Sequence, residues 1–135
     1  FKFAEHLKVP TVIGNKIRKD HSEQAQVWSV VGEVRDKTVF IVDDIVFTGS
    51  SLISMANAVM ELGAKEVYAA VTHGVLTAGA AAKIDKSCIK ELVITDSVGY
   101  HFEKRSNKVR EVSVAGLFAT AISNIHHAES VSDLF

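Results

Sequence analysis

Two acids and a turn of small residues carry the most specific chemistry in this chain. Asp43 and Asp44 close the apolar run Val39-Phe40-Ile41-Val42, and Phe47-Thr48-Gly49-Ser50-Ser51 follows two residues later. Adjacent carboxylates repel each other, and capping a turn needs only one of them. As a pair they can accept hydrogen bonds from vicinal hydroxyls or share a divalent cation. Gly49 can take a left-handed backbone that lets the chain come close to an anion. The hydroxyls of Thr48, Ser50 and Ser51 add donors. The amphipathic stretch from Leu52 to Leu62, stopped by Gly63, reads as a helix whose N-terminus would face the turn. Backbone N–H groups of such a turn and the helix start bind phosphate-like anions. A plain N-cap at Ser50 is the simpler reading, and both can hold at once. Phosphate at one end and hydroxyls at the other describe a pentose phosphate.

The elements that must position these groups alternate along the chain. Phe1 to Lys8 reads as the end of a helix, and Pro10 to Gly14 as a buried strand. Residues 15–26 are polar and lack apolar periodicity, which predicts a loop carrying Lys16 and Arg18; by themselves these two cations read as a solvated basic face. Val27 to Val34 and Thr38 to Val42 read as strands joined by a turn at Arg35-Asp36-Lys37. After the helix opening at Ser50 come a strand from Glu66 to Thr72, an Ala-rich helix from Ala78 to Lys86 and a strand from Leu92 to Thr95. A polar loop from Tyr100 to Lys108 leads to a strand from Val109 to Val114. A final helix from Ala115 to His127 places Leu117, Phe118, Ala121, Ile122 and Ile125 on one face. Strands alternating with helices predict a three-layer α/β/α domain with a mostly parallel sheet. Ligands of such sheets bind at the C-terminal ends of the strands, where Asp43, Asp44, His73 and Asp96 all fall.

The 135 residues fit one domain with a real core. Lys+Arg 15 against Asp+Glu 16 gives a net charge of -1, and this balance supplies no electrostatic reason to expect nucleic acid or a membrane surface as partner. No apolar run approaches the roughly 20 residues a membrane helix needs. The single Cys88 has no internal partner for a disulfide, which suits a reducing cytoplasm, and it reads as a small buried hydrophobe. The chain opens at Phe1 inside a helical pattern, so it is expected to be a portion of a longer protein.

The segment from Val39 to Ser51 resembles the ribose-phosphate loop of the phosphoribosyltransferase superfamily. Four further segments are similar to the C-terminal half of the ribose-phosphate pyrophosphokinases, the synthetases of phosphoribosyl pyrophosphate (PRPP). These are Val30-Val31-Gly32-Glu33-Val34, Ala70-Val71-Thr72-His73-Gly74, Val93-Ile94-Thr95-Asp96-Ser97 and the ending Glu129-Ser130-Val131-Ser132-Asp133-Leu134-Phe135. The resemblance covers almost the whole chain and implies one phosphoribosyltransferase-like (type I) domain over 1–135. It implies an enzyme that passes pyrophosphate from MgATP to ribose 5-phosphate, giving PRPP and AMP; the isolated piece, lacking the N-terminal half, is expected to be inactive. The 5-phosphate would sit on Phe47, Thr48, Gly49, Ser50 and Ser51, and the sugar on Asp43 and Asp44. Asp43 and Asp44 are also the candidate ligands for Mg²⁺. Lys16 and Arg18 match a Lys-x-Arg pair on a mobile flap that binds the β- and γ-phosphates of ATP and stabilises transition-state charge. Ser130, Ser132 and Phe135 match a segment of an allosteric phosphate or nucleotide site between subunits. A homo-oligomer, hexameric by the resemblance, and a cytoplasmic location follow.

Departures from the family pattern keep two rivals in view. The synthetases usually have an acid at Phe47, a Gly at Ser50, and Phe-Ser-Gly-x-Ala where this chain has Leu76-Thr77-Ala78-Gly79-Ala80. One rival is a non-catalytic, synthetase-associated or PRPP-sensing subunit. The other is a phosphoribosyltransferase that consumes PRPP, for which no base-recognition hood is found. Of the remaining candidates, a lone His73 at a strand end is more often structural than catalytic. Asp96 could contact substrate or cap the next turn. His126 and His127, adjacent on a helix, do not face one way and read as surface residues.

Overall fold

The computed structural model describes residues 2–18, 26–77, 79–99 and 106–134. Their order is α1 (Lys2–Leu7), β1 (Ile13–Arg18), β2 (Gln26–Val31), β3 (Thr38–Val46), α2 (Ser50–Glu61), β4 (Glu66–Gly74), α3 (Ala80–Asp85), β5 (Ile89–Thr95), β6 (Val109–Val112), α4 (Ala115–His126) and a 3-10 turn at Ser132–Leu134. β3, β4, β5 and β6 form a parallel sheet in that order. The connections β3–α2–β4 and β4–α3–β5 are the helical crossovers that parallel pairing requires. The expected α/β class with a mostly parallel sheet is therefore found.

Side-chain alternation on the strands decides where the core lies. Val67, Ala69 and Val71 of β4 are buried, and the intervening Tyr68 and Ala70 are half-buried. Ile89, Leu92 and Ile94 of β5 join them, and Leu52, Ala56 and Val59 supply the inner stripe of α2. α2 packs on β2, β3 and β4, and also touches α3. The opposite sheet face carries Phe40 and Val42, both exposed. There Phe3 of α1 stacks on Phe40 (ring centroids 6.2 Å apart) and Phe40 on Tyr68 (6.5 Å). Helix α4 forms as its periodicity predicts, but none of its residues is buried, and Leu117, Phe118, Ile122 and Ile125 lie exposed. Among the described residues no helix is long and apolar enough to cross a membrane.

Two expectations need correction. The buried strand read at Pro10 to Gly14 begins only at Ile13, and Asn15 to Arg18 belong to that strand, not to a loop. They pair antiparallel with β2, Lys16 opposite Trp28 and Arg18 opposite Gln26. Pairing satisfies the backbone whatever the side chains, so a hairpin tolerates a polar run that shows no apolar alternation. The second correction concerns the acids. The strand does not stop at Val42: β3 continues to Val46, so Asp43 and Asp44 stand inside it. Asp43 pairs with Val71, Ile45 with His73 and Val46 with Gly74, and the β-branched Ile45 and Val46 favour this extension.

Packing is close at Gly74, the buried last residue of β4. A Cβ built there would lie 2.6 Å from Ile94 Cδ1 and 2.9 Å from Ile94 Cγ2. Gly74→Ala should therefore destabilise the fold by about 1–3 kcal/mol, read as a lower denaturation midpoint. Adding Ile94→Val removes Cδ1 and should restore part of the loss. Full stability of Gly74→Ala alone would show that Ile94 yields freely and that this packing is looser than drawn.

Candidate functional site

The β3–α2 junction carries the acids and the small-residue turn in sequence, and Asp43 and Ser51 line one cleft. Gly49 is the N-cap of α2 and has φ +73, ψ -6, a left-handed conformation that costs glycine little. A side chain at this position would meet only ordinary contacts from Ile84 and Ile53, so the backbone angle, not crowding, selects glycine. Gly49 has no side chain with which to cap α2, so apart from Ser50 N–H, which reaches Thr48 Oγ1, the first N–H groups of the helix are left for water or a ligand. Ile53 N–H donates to Gly49 O at 2.9 Å and starts the helix. Thr48 Oγ1 lies 3.2 Å from Ser50 Oγ and accepts from Ser50 N–H at 3.4 Å, so the hydroxyls cluster over the turn. Phe47 is exposed beside them.

Asp44 N–H donates to Asp43 Oδ1 at 2.9 Å. Partial burial disfavours the charged form more than this bond favours it, and Asp44's side chain and charge act in the same direction as burial. The Asp43 carboxyl is therefore held above the ordinary aspartate value of 3.8. A raised folded-state pKa favours the fold while Asp43 is protonated. That contribution is complete below 3.8 and is lost as pH rises through the raised value. At neutral pH the ionised Asp43 is thus a local cost, of the kind hydroxyl donors or a cation would offset. Two hard oxygen ligands suit magnesium, which ordinarily takes one or two carboxylates and completes its shell with water and phosphate. Among the described residues no group of three or more His, Cys, Asp or Glu could by itself hold a metal.

Two clefts flank this junction. One, of about 810 Å³, runs from Ile13 and Gly14 of the hairpin along Val30 and Val42 to Asp43 and Ser51. It brings the base of the β1–β2 hairpin and the acidic strand end to one groove. Lys16 and Arg18 lie two and four residues beyond Gly14 on β1. The other cleft, of about 660 Å³, crosses Ser50 and is lined by Lys83, Lys86 and Cys88. Cys88 Sγ donates to Asn57 Oδ1 at 3.2 Å, and burial pushes its thiol up, which suits an inert side chain rather than a nucleophile.

The neighbouring strand ends hold the other candidates. His73 pairs with Ile45 on one side and Thr95 on the other. Its Nδ1 lies 2.8 Å from Ser97 Oγ. Thr95 Oγ1 is 2.8 Å from Ser97 Oγ and donates to Thr72 O at 2.7 Å. This hydroxyl network fixes the imidazole plane and was not read from the sequence; the Thr-x-Ser spacing at 95–97 is its only local sign. Asp96 is engaged elsewhere. Its Oδ1 accepts from Val114 N–H at 2.8 Å, and Ser113's hydroxyl and this N–H hold its carboxyl below the ordinary 3.8. It holds the approach to α4 rather than the turn that directly follows it. His126 and His127 meet edge to face, centroids 5.1 Å apart, with His127 Nδ1 donating to Ser123 O at 2.8 Å. At the far end, Ser132 N–H donates to Ser130 Oγ at 3.1 Å and Asn124 Nδ2 donates to Ser130 O at 2.8 Å. Phe135 lies outside the described residues.

Comparison with known proteins fits this arrangement. The family model described as the phosphoribosyl synthetase-associated domain matches residues 5–135. The ribose-phosphate pyrophosphokinase of Oceanobacillus iheyensis is 45% identical over 134 residues, which is 99% of this chain and 42% of that protein. That of Bacillus subtilis is 42% identical over 134 residues, again 99% of this chain and 42% of the relative. Among solved structures, phosphoribosylpyrophosphate synthetase from Mycobacterium smegmatis matches with a TM-score of 0.83 at 30% identity, over 94% of this chain and 40% of that one. The chain thus spans 42% of the length of these curated relatives.

The two strand-end aspartates should titrate in opposite senses. By carbon-detected NMR, Asp43 should have its midpoint above 3.8 and Asp96 below it. The Val114 amide proton should follow the Asp96 transition, because that carboxylate is its acceptor. Asp96 supports the fold above 3.8 and loses this as pH falls through its lowered value. An Asp43 midpoint at or below 3.8 would remove the local cost assigned to its ionised form.

Proposed function

The chain belongs to the phosphoribosyl synthetase-associated domain family, and from this premise we propose that it forms the ribose 5-phosphate side of a ribose-phosphate pyrophosphokinase site. It would serve as one domain, the C-terminal part of such an enzyme. In the reaction the anomeric hydroxyl oxygen of ribose 5-phosphate attacks the β-phosphorus of ATP. The bond from that phosphorus to the oxygen bridging it to the α-phosphate breaks, AMP leaves, the hydroxyl proton is lost, and PRPP remains. The observation that carries the reading is the β3–α2 junction, where left-handed Gly49 opens helix α2 without a side-chain cap of its own, just beyond two adjacent aspartates.

Each residue then has a role. Backbone N–H groups and hydroxyls of Thr48, Gly49, Ser50 and Ser51 receive the 5-phosphate, with Phe47 alongside. Asp43 and Asp44 accept the 2- and 3-hydroxyls, which fixes the anomeric oxygen in line for attack. The same two carboxylates are the residues that would help hold Mg²⁺, whose charge when bound neutralises that building on the nucleotide phosphates. Lys16 and Arg18 bind the transferring phosphates from the hairpin. No general base is assigned, which suits a transfer driven by positioning and charge stabilisation. ATP, PRPP and further copies of the same chain are the proposed partners, with Ser130 and Ser132 facing a regulatory phosphate or nucleotide at a subunit boundary. The proposed setting is the cytoplasm, where Cys88 stays a thiol.

One feature favours a second reading, a PRPP-sensing subunit without turnover: Phe47 stands, exposed, where the family usually has an acid. If that position is an eroded acid, Phe47→Asp should raise activity. Unchanged rate and unchanged ribose 5-phosphate affinity would sink that explanation.

The deciding assay incubates the full-length protein with ribose 5-phosphate and MgATP and follows AMP and PRPP. Equal amounts of both are expected. Lys16→Ala should lower kcat by roughly 100-fold or more with ribose 5-phosphate affinity little changed. Asp43→Ala should weaken that affinity by about tenfold. AMP without PRPP would overturn the synthetase reading. Ribose 5-phosphate binding without any AMP would move the protein to the sensing role.

A further inference from the structure

The phosphate turn is held from outside by a segment that touches no proposed ligand. Immediately after β4, Leu76 N–H donates to Val46 O at 3.2 Å and Thr77 N–H donates to Phe47 O at 2.9 Å. Thr77 Oγ1 donates to the same Phe47 carbonyl at 3.3 Å. Leu76 has φ +40, an uncommon conformation for a side chain of its size, and is fully buried. Such strain persists only where the surroundings over-determine it. Here the Leu76 side chain in the core and the close-packed Gly74 before it do so. Thr77 O in turn accepts from Ala80 N–H at 2.9 Å at the start of α3. Gly49, at the centre of the turn, lies against Ile84 of the same helix.

A peptide group is rigid and trans, so its C=O and N–H point in opposite directions. Pinning the Phe47 carbonyl toward Thr77 therefore turns the Thr48 N–H away from residues 76–77. It also withdraws a carbonyl dipole whose negative end would oppose an anion in the turn. From this geometry we propose that Thr77 is a positioning residue for the anion-binding turn, acting through the Phe47–Thr48 peptide. The proposal rests on the ribose 5-phosphate reading above and adds to it a residue that meets no ligand atom. Thr77 is exposed, so its hydroxyl can be removed without opening the core.

The test compares wild type, Thr77→Val and Thr77→Ser in the full-length protein. Binding of ribose 5-phosphate and of inorganic phosphate is measured by calorimetry, and thermal midpoints are measured without ligand. Thr77→Val keeps the shape and loses the donor, and should raise both dissociation constants by about threefold to fivefold. Thr77→Ser keeps the donor and should bind as wild type does. The ligand-free midpoints should agree closely, which a purely structural role would not allow. Equal binding by wild type and Thr77→Val, or failure of Thr77→Ser to restore affinity, overturns this inference and leaves the function untouched. A wild type that binds neither ribose 5-phosphate nor phosphate overturns both.

Discussion

The ladder between β3 and β4 does not stop at the aspartates. It runs on through Ile45 opposite His73 and Val46 opposite Gly74, and Leu76 and Thr77 then extend it by donating to Val46 O and Phe47 O. Everything at the candidate site hangs on this extension. It fixes the strand end that carries Asp43 and Asp44, delivers the chain to left-handed Gly49, and sets the direction in which α2 departs. α2 then buries Leu52, Ala56 and Val59 against the sheet, so the packing of the core and the orientation of the turn are set by the same junction.

The strands β3 and β5, which flank β4, use their carboxylates in opposite ways. Asp96 spends its acceptor on Val114 N–H and its carboxyl is stabilised in the charged form. Asp43 accepts from the neighbouring N–H of Asp44 and is held toward the neutral form by burial and by the second acid. The first arrangement makes structure, since it ties the end of β5 to the start of α4. The second leaves on a groove wall a carboxyl whose charged form is disfavoured, where a hydroxylated or cationic ligand would offset that cost.

Several elements were legible in the sequence because their signals are local. The periodicity of α2 and α4, the breaker at Gly63, the β-branched runs of β3 to β5 and the glycine in the turn each follow from near neighbours along the chain. The hairpin was not legible. Asn15 to Arg18 shows neither period, and its strand state comes from pairing with β2, a partner whose identity the run itself does not encode. The exposure of the apolar face of α4 was likewise not legible, because amphipathicity specifies a helix and its sides but not what packs there.

The sequence by itself determined the order of elements, the α/β class and the small group of residues at the turn, since spacing along one strand–turn–helix unit already places acids and hydroxyls together. Only the tertiary structure decided that Asp43 and Asp44 lie inside β3, that Asp96 holds the approach to α4, and that Ser97 and Thr95 fix His73. It alone linked Thr77 to Phe47, thirty residues earlier in the chain. Such links depend on which backbone groups two distant segments present to each other once the sheet has formed, and no local pattern of side chains specifies that.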